Sequence, residues 1–202
     1  MDERKEEILT RTLELFSKRG IKSLNMTNIS SLQHISKKTL YSFFKDKNDL
    51  VCSCMSYELA RSSTEIEKIT HKKLNAIDVS YQISQFVINQ LTDMNPTLFI
   101  ELEAFHPEAL KLFKDHQQEC IAVTIRGNIE KGINEELYRP GLNIEIVTGI
   151  YMTLMYNLIS DRLMNNKKFS FSELYMEFFK YHIHGISSEK GQSYLKSKYD
   201  SE

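Results

Sequence analysis

Ser36-Lys37-Lys38-Thr39, followed by Tyr41, Ser42 and, five residues further on, Lys47, gathers hydroxyl, ammonium and phenol groups, with no carboxylate between residues 36 and 45. Donors of this kind suit a partner rich in acceptors. Ammonium and hydroxyl groups bond phosphate oxygens, and lysine and serine side chains also reach base edges in the wide groove of a duplex. Thr27 adds a further hydroxyl upstream. Residues 21–50 hold five lysines (Lys22, Lys37, Lys38, Lys45, Lys47) against Asp46 and Asp49, although the whole chain carries a net charge of −1. A basic segment on an acidic body is the charge asymmetry of a nucleic-acid-binding face.

The elements that must hold these groups are short helices. In residues 3–19, Ile8, Leu9, Thr12, Leu13 and Phe16 share one face at helical spacing, and Gly20 follows where a left-handed cap is wanted. Thr27 begins a short helix with Ile29 and Leu32 inward. Ser36 caps the next, with Leu40, Tyr41 and Phe44 on its inner side. Asp46 and Asp49 have the spacing of a capping box opening a long helix. Two short helices joined by a turn of three or four residues make a helix-turn-helix over 27–46, whose second helix enters the major groove. Tyr41 lies one turn into that helix and Lys47 opens the one after it, so each is expected to meet a phosphate.

The ordered pattern Leu15-Phe16-x-x-x-Gly20, Thr27-x-Ile29, Ile35-Ser36-x-x-Thr39-Leu40-Tyr41-x-x-Phe44 and Lys47-x-x-Leu50 resembles the DNA-binding domain of the TetR/AcrR family of bacterial regulators. Two positions depart from the family pattern. His34 stands in the turn where Gly is usual, and His is among the non-Gly residues that tolerate left-handed backbone. Lys38 stands where Gly is frequent and makes the recognition helix more basic. The resemblance implies that Thr27, Lys38, Thr39, Tyr41 and Lys47 contact backbone phosphates, while Ser36, Lys37, Lys38 and Ser42 lie nearest base edges. It also implies repression as the mode of control. The partner it implies is double-stranded DNA carrying a pseudo-palindromic operator.

With 7 Gly, 3 Pro and no Trp, 41% hydrophobic and 26% charged residues, the chain is an all-α candidate of about nine helices. An N-terminal three-helix domain with the helix-turn-helix precedes a helical ligand-binding and dimerisation domain. Beyond residue 47 the expected helices are 47–70, 74–93, 97–105, 107–133, 143–165 and 170–186. The breaks fall at Asn95-Pro96, Pro107, Gly132 and Arg139-Pro140-Gly141. The domains are thus 1–46, 47–186 and a polar, fraying tail at 187–202. In the last two helices the apolar residues spread all round, so one face needs a partner. By the resemblance, Val147, Tyr151, Leu154, Leu158, Leu174, Phe178 and His182 line a homodimer interface. The middle region becomes the candidate sensor for an unknown small-molecule effector, apolar or amphipathic, with Phe86, Gln90, Phe99, Glu103, His106, Phe113, Gln117, Met152 and Tyr156 as pocket candidates. The alternative is a dimeric DNA-binding regulator without a small-molecule effector, controlled by a protein partner or by abundance.

Other chemistries find little support. Glu103-Ala-Phe-His106 has the E-x-x-H spacing of a di-metal helical bundle, but that chemistry needs a second such pair. No phosphate-binding glycine loop or nucleophile elbow occurs. The expectation is no catalytic residue, no metal and no cofactor. Cys52, Cys54 and Cys120 read as reduced thiols. The charged amino terminus does not read as a signal peptide, and the most apolar window, 150–159, is half of the roughly 20 residues a membrane span requires. A cytoplasmic protein without a membrane partner is expected.

Overall fold

The computed structural model describes residues 2–92, 94–95, 97–160 and 168–199. The helices are α1 (Glu3–Arg19), α2 (Met26–Leu32), α3 (Lys37–Phe43), α4 (Lys47–Thr70), α5 (Ala76–Leu91), α6 (Leu98–Phe105), α7 (Pro107–His116), α8 (Ala122–Asn134), α9 (Ile144–Ile159), α10 (Phe171–Ile186) and α11 (Glu189–Lys198). A single π-turn, Gln117–Ile121, lies between α7 and α8, interrupting the helix expected to run unbroken over 107–133. The last residues of the helix expected over 143–165 lie outside the described residues, as does Pro96. Among the described residues the protein is all-α, with an N-terminal helix-turn-helix followed by a helical region. Among the described residues the extended pairing consists of one isolated bridge between Tyr138 and Ser187. No helix among the described residues is long and apolar enough to cross a membrane.

The chain divides into two compact units. One comprises residues 1–63 and 93–116, the other residues 64–92 and 117–202. In the first, α1 begins where the Asp2 side chain accepts from the Arg4 and Lys5 amides and ends at Gly20, whose φ is +75°. Its buried face (Ile8, Leu9, Thr12, Phe16) joins Ile21, Leu24, Ile29, Leu40, Phe44, Leu50, Val51 and Cys54 in a core to which α6 and α7 add Phe99, Leu102, Ala109, Leu110 and Phe113. Cys54 is buried, and burial pushes its thiol well above the ordinary range, consistent with an inert core thiol.

The second unit packs α5, α8, α9, α10 and α11 around Ile77, Ile129, Tyr138, Met155, Leu158, Tyr175, Phe179, Ile183 and Leu195. Gly132 lies under the Tyr138 ring so closely that a β-carbon there would fall 2.0 Å from it. Tyr138 in turn donates to Asn128 Oδ1 at 3.0 Å. Residues 187–202, expected to form a fraying tail, instead contain α11. Ser188 caps it, Leu195 is buried beneath it, and Gly191 approaches the Leu137 carbonyl so closely that a β-carbon would clash. Polarity misleads here because α11 is fastened by polar groups. Asp78 of α5, itself buried, accepts from the Tyr194 hydroxyl at 2.8 Å, the Tyr199 hydroxyl at 2.7 Å and Lys198 Nζ at 2.8 Å.

Candidate nucleic-acid interface

Helix α2 starts at Met26, one residue before the expected Thr27, because Asn25 and Asn28 form a reciprocal cap. Thr27 consequently sits exposed in the first turn. The far end of α2 is tied inward through Gln33, whose Nε2 donates to Thr12 Oγ1 at 2.8 Å. Thr12 in turn bonds the Ile8 carbonyl at 2.7 Å. A buried glutamine of this kind carries no periodic signal, and the sequence offered no pointer to it. Leu32, expected inward, is 39% exposed, since the chain leaves the helix there and Gln33 takes the buried position.

The turn that follows depends on His34, with φ +55°. The His34 amide bonds Ser31 O at 3.1 Å and the Ile35 amide bonds Ser30 O at 3.0 Å, so the turn keeps its main-chain bonds despite the left-handed residue. Ser36 then caps α3, its Oγ accepting from the Thr39 amide at 2.9 Å and lying 2.8 Å from Thr39 Oγ1. Ser42 Oγ donates to the Thr39 carbonyl at 2.7 Å. Leu40 and Phe44 are buried on the inner side of the α3 segment, whereas Lys37, Lys38, Tyr41 and Ser42 face solvent. Tyr41 was expected inside with Leu40 and Phe44. It is 51% exposed, because one residue of helix turns the side chain about 100° away from Leu40.

Thr27, Ser36, Lys37, Lys38, Thr39, Tyr41 and Ser42 therefore belong to one exposed helix-turn-helix. Lys47, like the half-buried Thr39, is less open than the other six. It is half-buried at the start of α4, and its Nζ donates to the Ile21 carbonyl at 2.8 Å. Burial lowers its basicity and Glu101 partly restores it. The Lys47 ammonium, expected to meet a phosphate, thus makes an internal contact.

The pocket candidates are divided between the two units. In the first, Phe99 and Phe113 pack on each other, with ring centroids 4.9 Å apart, and are core. Glu103 is exposed. His106 is buried, with Nδ1 2.9 Å from Asn48 Oδ1. Burial, then the Lys47 charge, holds its imidazole below the ordinary range against the opposing pull of Glu108 and Glu101. In the second unit, Phe86, Gln90 and Tyr156 are half-buried and Met152 is buried. Gln117 Nε2 and Thr148 Oγ1 are buried without a hydrogen-bond partner. A cleft of about 190 Å³ lies elsewhere in this unit, lined among others by Tyr81, Met176, Phe179, Lys180 and Tyr199.

The interface candidates also sort by exposure. Leu158 is 4% exposed and belongs to the core of its own chain. Tyr151, Phe178 and His182 pack their rings on one another, with Tyr151 4.8 Å from His182 and 5.0 Å from Phe178. Burial pushes the His182 imidazole down to about 4, which keeps it neutral in this aromatic group. Val147, Leu154 and Leu174 are half-buried. The large apolar side chains most open on α9 and α10 are instead Ile146, Ile150 and Tyr181, with Tyr181 80% exposed. Periodicity could not separate the open from the covered positions, since both helices are apolar on most sides.

Residues 8–54 match the family profile described as bacterial regulatory proteins, tetR family. No curated protein sequence matches the chain. Solved structures do match across almost its full length. A protein from Saccharomonospora viridis in complex with choline is 16% identical over 94% of this chain and 100% of that one, with a TM-score of 0.75. A transcriptional regulator from Cytophaga hutchinsonii is 17% identical over 93% of this chain and 100% of that one, at 0.73. The regulator FadR from Bacillus subtilis in complex with stearoyl-CoA is 16% identical over 90% of this chain and 98% of that one, at 0.70. At such identities the likeness establishes the shared fold.

Proposed function

We propose, on the premise that this chain belongs to the tetR family of bacterial regulatory proteins, that it is a dimeric repressor released from a pseudo-palindromic operator by a small apolar or amphipathic ligand. The observation that carries the DNA-binding part is the exposure of Lys37, Lys38, Tyr41 and Ser42 on a helix anchored from behind by Leu40 and Phe44. Lys37, Lys38 and Ser42 lie nearest base edges, and Thr27, Thr39 and Tyr41 hold phosphates. Ser36, engaged as the cap, orients the helix and offers its remaining acceptor capacity to the DNA.

Dimer formation is supported by the exposure of Ile146, Ile150 and Tyr181, since apolar side chains of that size favour a covered state. Two recognition helices related by a dyad then read half-sites roughly 34–36 Å apart. An effector site in the second unit is supported by Gln117 and Thr148, whose buried polar atoms retain unspent bonding capacity. It is also supported by the ligand complexes known for similarly folded proteins. A ligand that prefers one conformer lowers operator affinity by no more than that preference.

Selection of bound fragments from a random DNA pool tests the reading. A recovered inverted repeat, bound by a species that sediments as a dimer, is expected. Tyr41→Ala should weaken binding to all sequences together. Recovery of no enriched sequence overturns the assignment.

A further inference from the structure

We infer that Glu101 and Lys47 are positioning residues for operator recognition, acting together as a charged brace on the turn between α1 and α2. The inference rests on the regulator reading above. Glu101, on α6, places one carboxylate oxygen 2.6 Å from the Ile21 amide and 2.8 Å from the Lys22 amide. Its other oxygen accepts from Thr97 Oγ1 at 2.9 Å. The Ile21 carbonyl in turn takes the Lys47 ammonium at 2.8 Å. One residue of main chain is thus held through its N–H by an anion and through its C=O by a cation. Charge-assisted bonds of this kind are roughly twice as strong as neutral ones.

The brace fits this position because Gly20 makes room for it. A β-carbon on Gly20 would lie 3.0 Å from one Glu101 oxygen and 3.2 Å from the other. A second tie runs parallel to the first. Asn48, next to Lys47, faces His106 Nδ1 at 2.9 Å and donates to Glu108 Oε2 at 3.0 Å. The Lys22 ammonium lies 5.3 Å from the centre of the Phe105 ring.

The contacts bracket the recognition element. Ile21 and Lys22 precede α2, and Lys47 and Asn48 follow α3, so residues 97–108 grip the helix-turn-helix at both ends. Inside that bracket the Gln33–Thr12 bond and the capped α3 leave little freedom. The bearing of α3 is then set largely by where the two ends are held. An apolar contact at the same place would stabilise the turn as well, but without fixing its orientation, because apolar packing is non-directional. Two opposed charges on one peptide unit fix both position and direction.

The test uses the full chain and an operator recovered by selection. Operator affinity, non-specific DNA affinity, their salt dependence and amide exchange at Ile21 and Lys22 are compared in wild type, Glu101→Ala, Glu101→Gln and Lys47→Met. Glu101→Ala should lose about tenfold of its preference for operator over random DNA, a loss of the size of one mismatched base pair. Its non-specific affinity should stay unchanged, and the two amides should exchange faster. Glu101→Gln retains a carbonyl oxygen for both amides and should recover part of the preference, which separates the brace from simple loss of stability and replaces Glu101→Ala should that variant fail to fold. Lys47→Met should lower the preference and leave the salt slope unaltered. A slope flattened by about one unit would make Lys47 a phosphate ligand and overturn its place in the brace. Unchanged preference in all three variants, or unchanged amide exchange in Glu101→Ala, overturns the inference. A wild-type chain with no sequence preference overturns the regulator reading instead, and amide exchange still judges the brace.

Discussion

Glu101 in one unit and Asp78 in the other each draw three donors onto a single carboxylate, yet the donors differ in kind. Glu101 takes two from the main chain, at Ile21 and Lys22. Asp78 takes all of its long-range bonds from side chains, at Tyr194, Lys198 and Tyr199. Main-chain donors cannot rotate away, so a carboxylate facing them fixes the path of the backbone. Side-chain donors hang on rotatable bonds, so the same chemistry at Asp78 fastens a whole helix while leaving its local geometry to packing. Glu101 is thus suited to orientation and Asp78 to attachment.

The largest effect that would sharpen this contrast is expected from Asp78→Ala. It removes the acceptor shared by two tyrosine hydroxyls and an ammonium, and the chain should lose about 3 kcal/mol of stability, read by chemical denaturation. Operator preference in the folded fraction should be retained. An equal loss of preference would break the distinction between the two carboxylates. Gly20→Ala should cost less, about 1–2 kcal/mol, because φ +75° strains any residue with a β-carbon. The added atom also crowds Glu101, so operator preference should fall with it, as a binding titration would show.

The smallest effect concerns acid. Burial opposes ionisation of Asp78, but the bonds from Lys198, Tyr199 and Tyr194 outweigh it and hold the carboxyl below its ordinary 3.8. The unfolded chain therefore binds this proton first as pH falls. The stabilisation is complete above 3.8 and is lost as pH drops through the lower folded value. Thermal melts of wild type and Asp78→Ala should converge in that range and stay separated at neutral pH. Curves that remained parallel into strong acid would show that Asp78 is not held as an anion.

The comparison also explains what could be read from residues alone. The helix-turn-helix was legible because its signals are local: Gly20, the Ser36 cap, the left-handed His34 and the buried Leu40 and Phe44 each act within a few residues. The brace was not legible. Glu101 lies about eighty residues from the amides it accepts from, and a glutamate on a short helix has no pattern that distinguishes a strut from a solvated charge. The same blindness hid the contact of Lys47 with the Ile21 carbonyl and sent 187–202 to solvent. Exposure on α9 and α10 was ambiguous for another reason. Helices apolar on nearly every side state that they are covered, but not which row meets its own subunit, so Leu158 and Ile150 look alike until packing separates them.

The exposed ring of Tyr41 has a practical corollary. The chain contains no Trp, so a single indole substituted at position 41 would be its sole long-wavelength emitter. Attached to the solvent side of a helix whose opposite side is locked, it would shift colour and intensity on passing from bulk water to a surface of stacked bases and phosphates. Occupancy of the groove would then be visible in a cuvette, without a dye on either molecule.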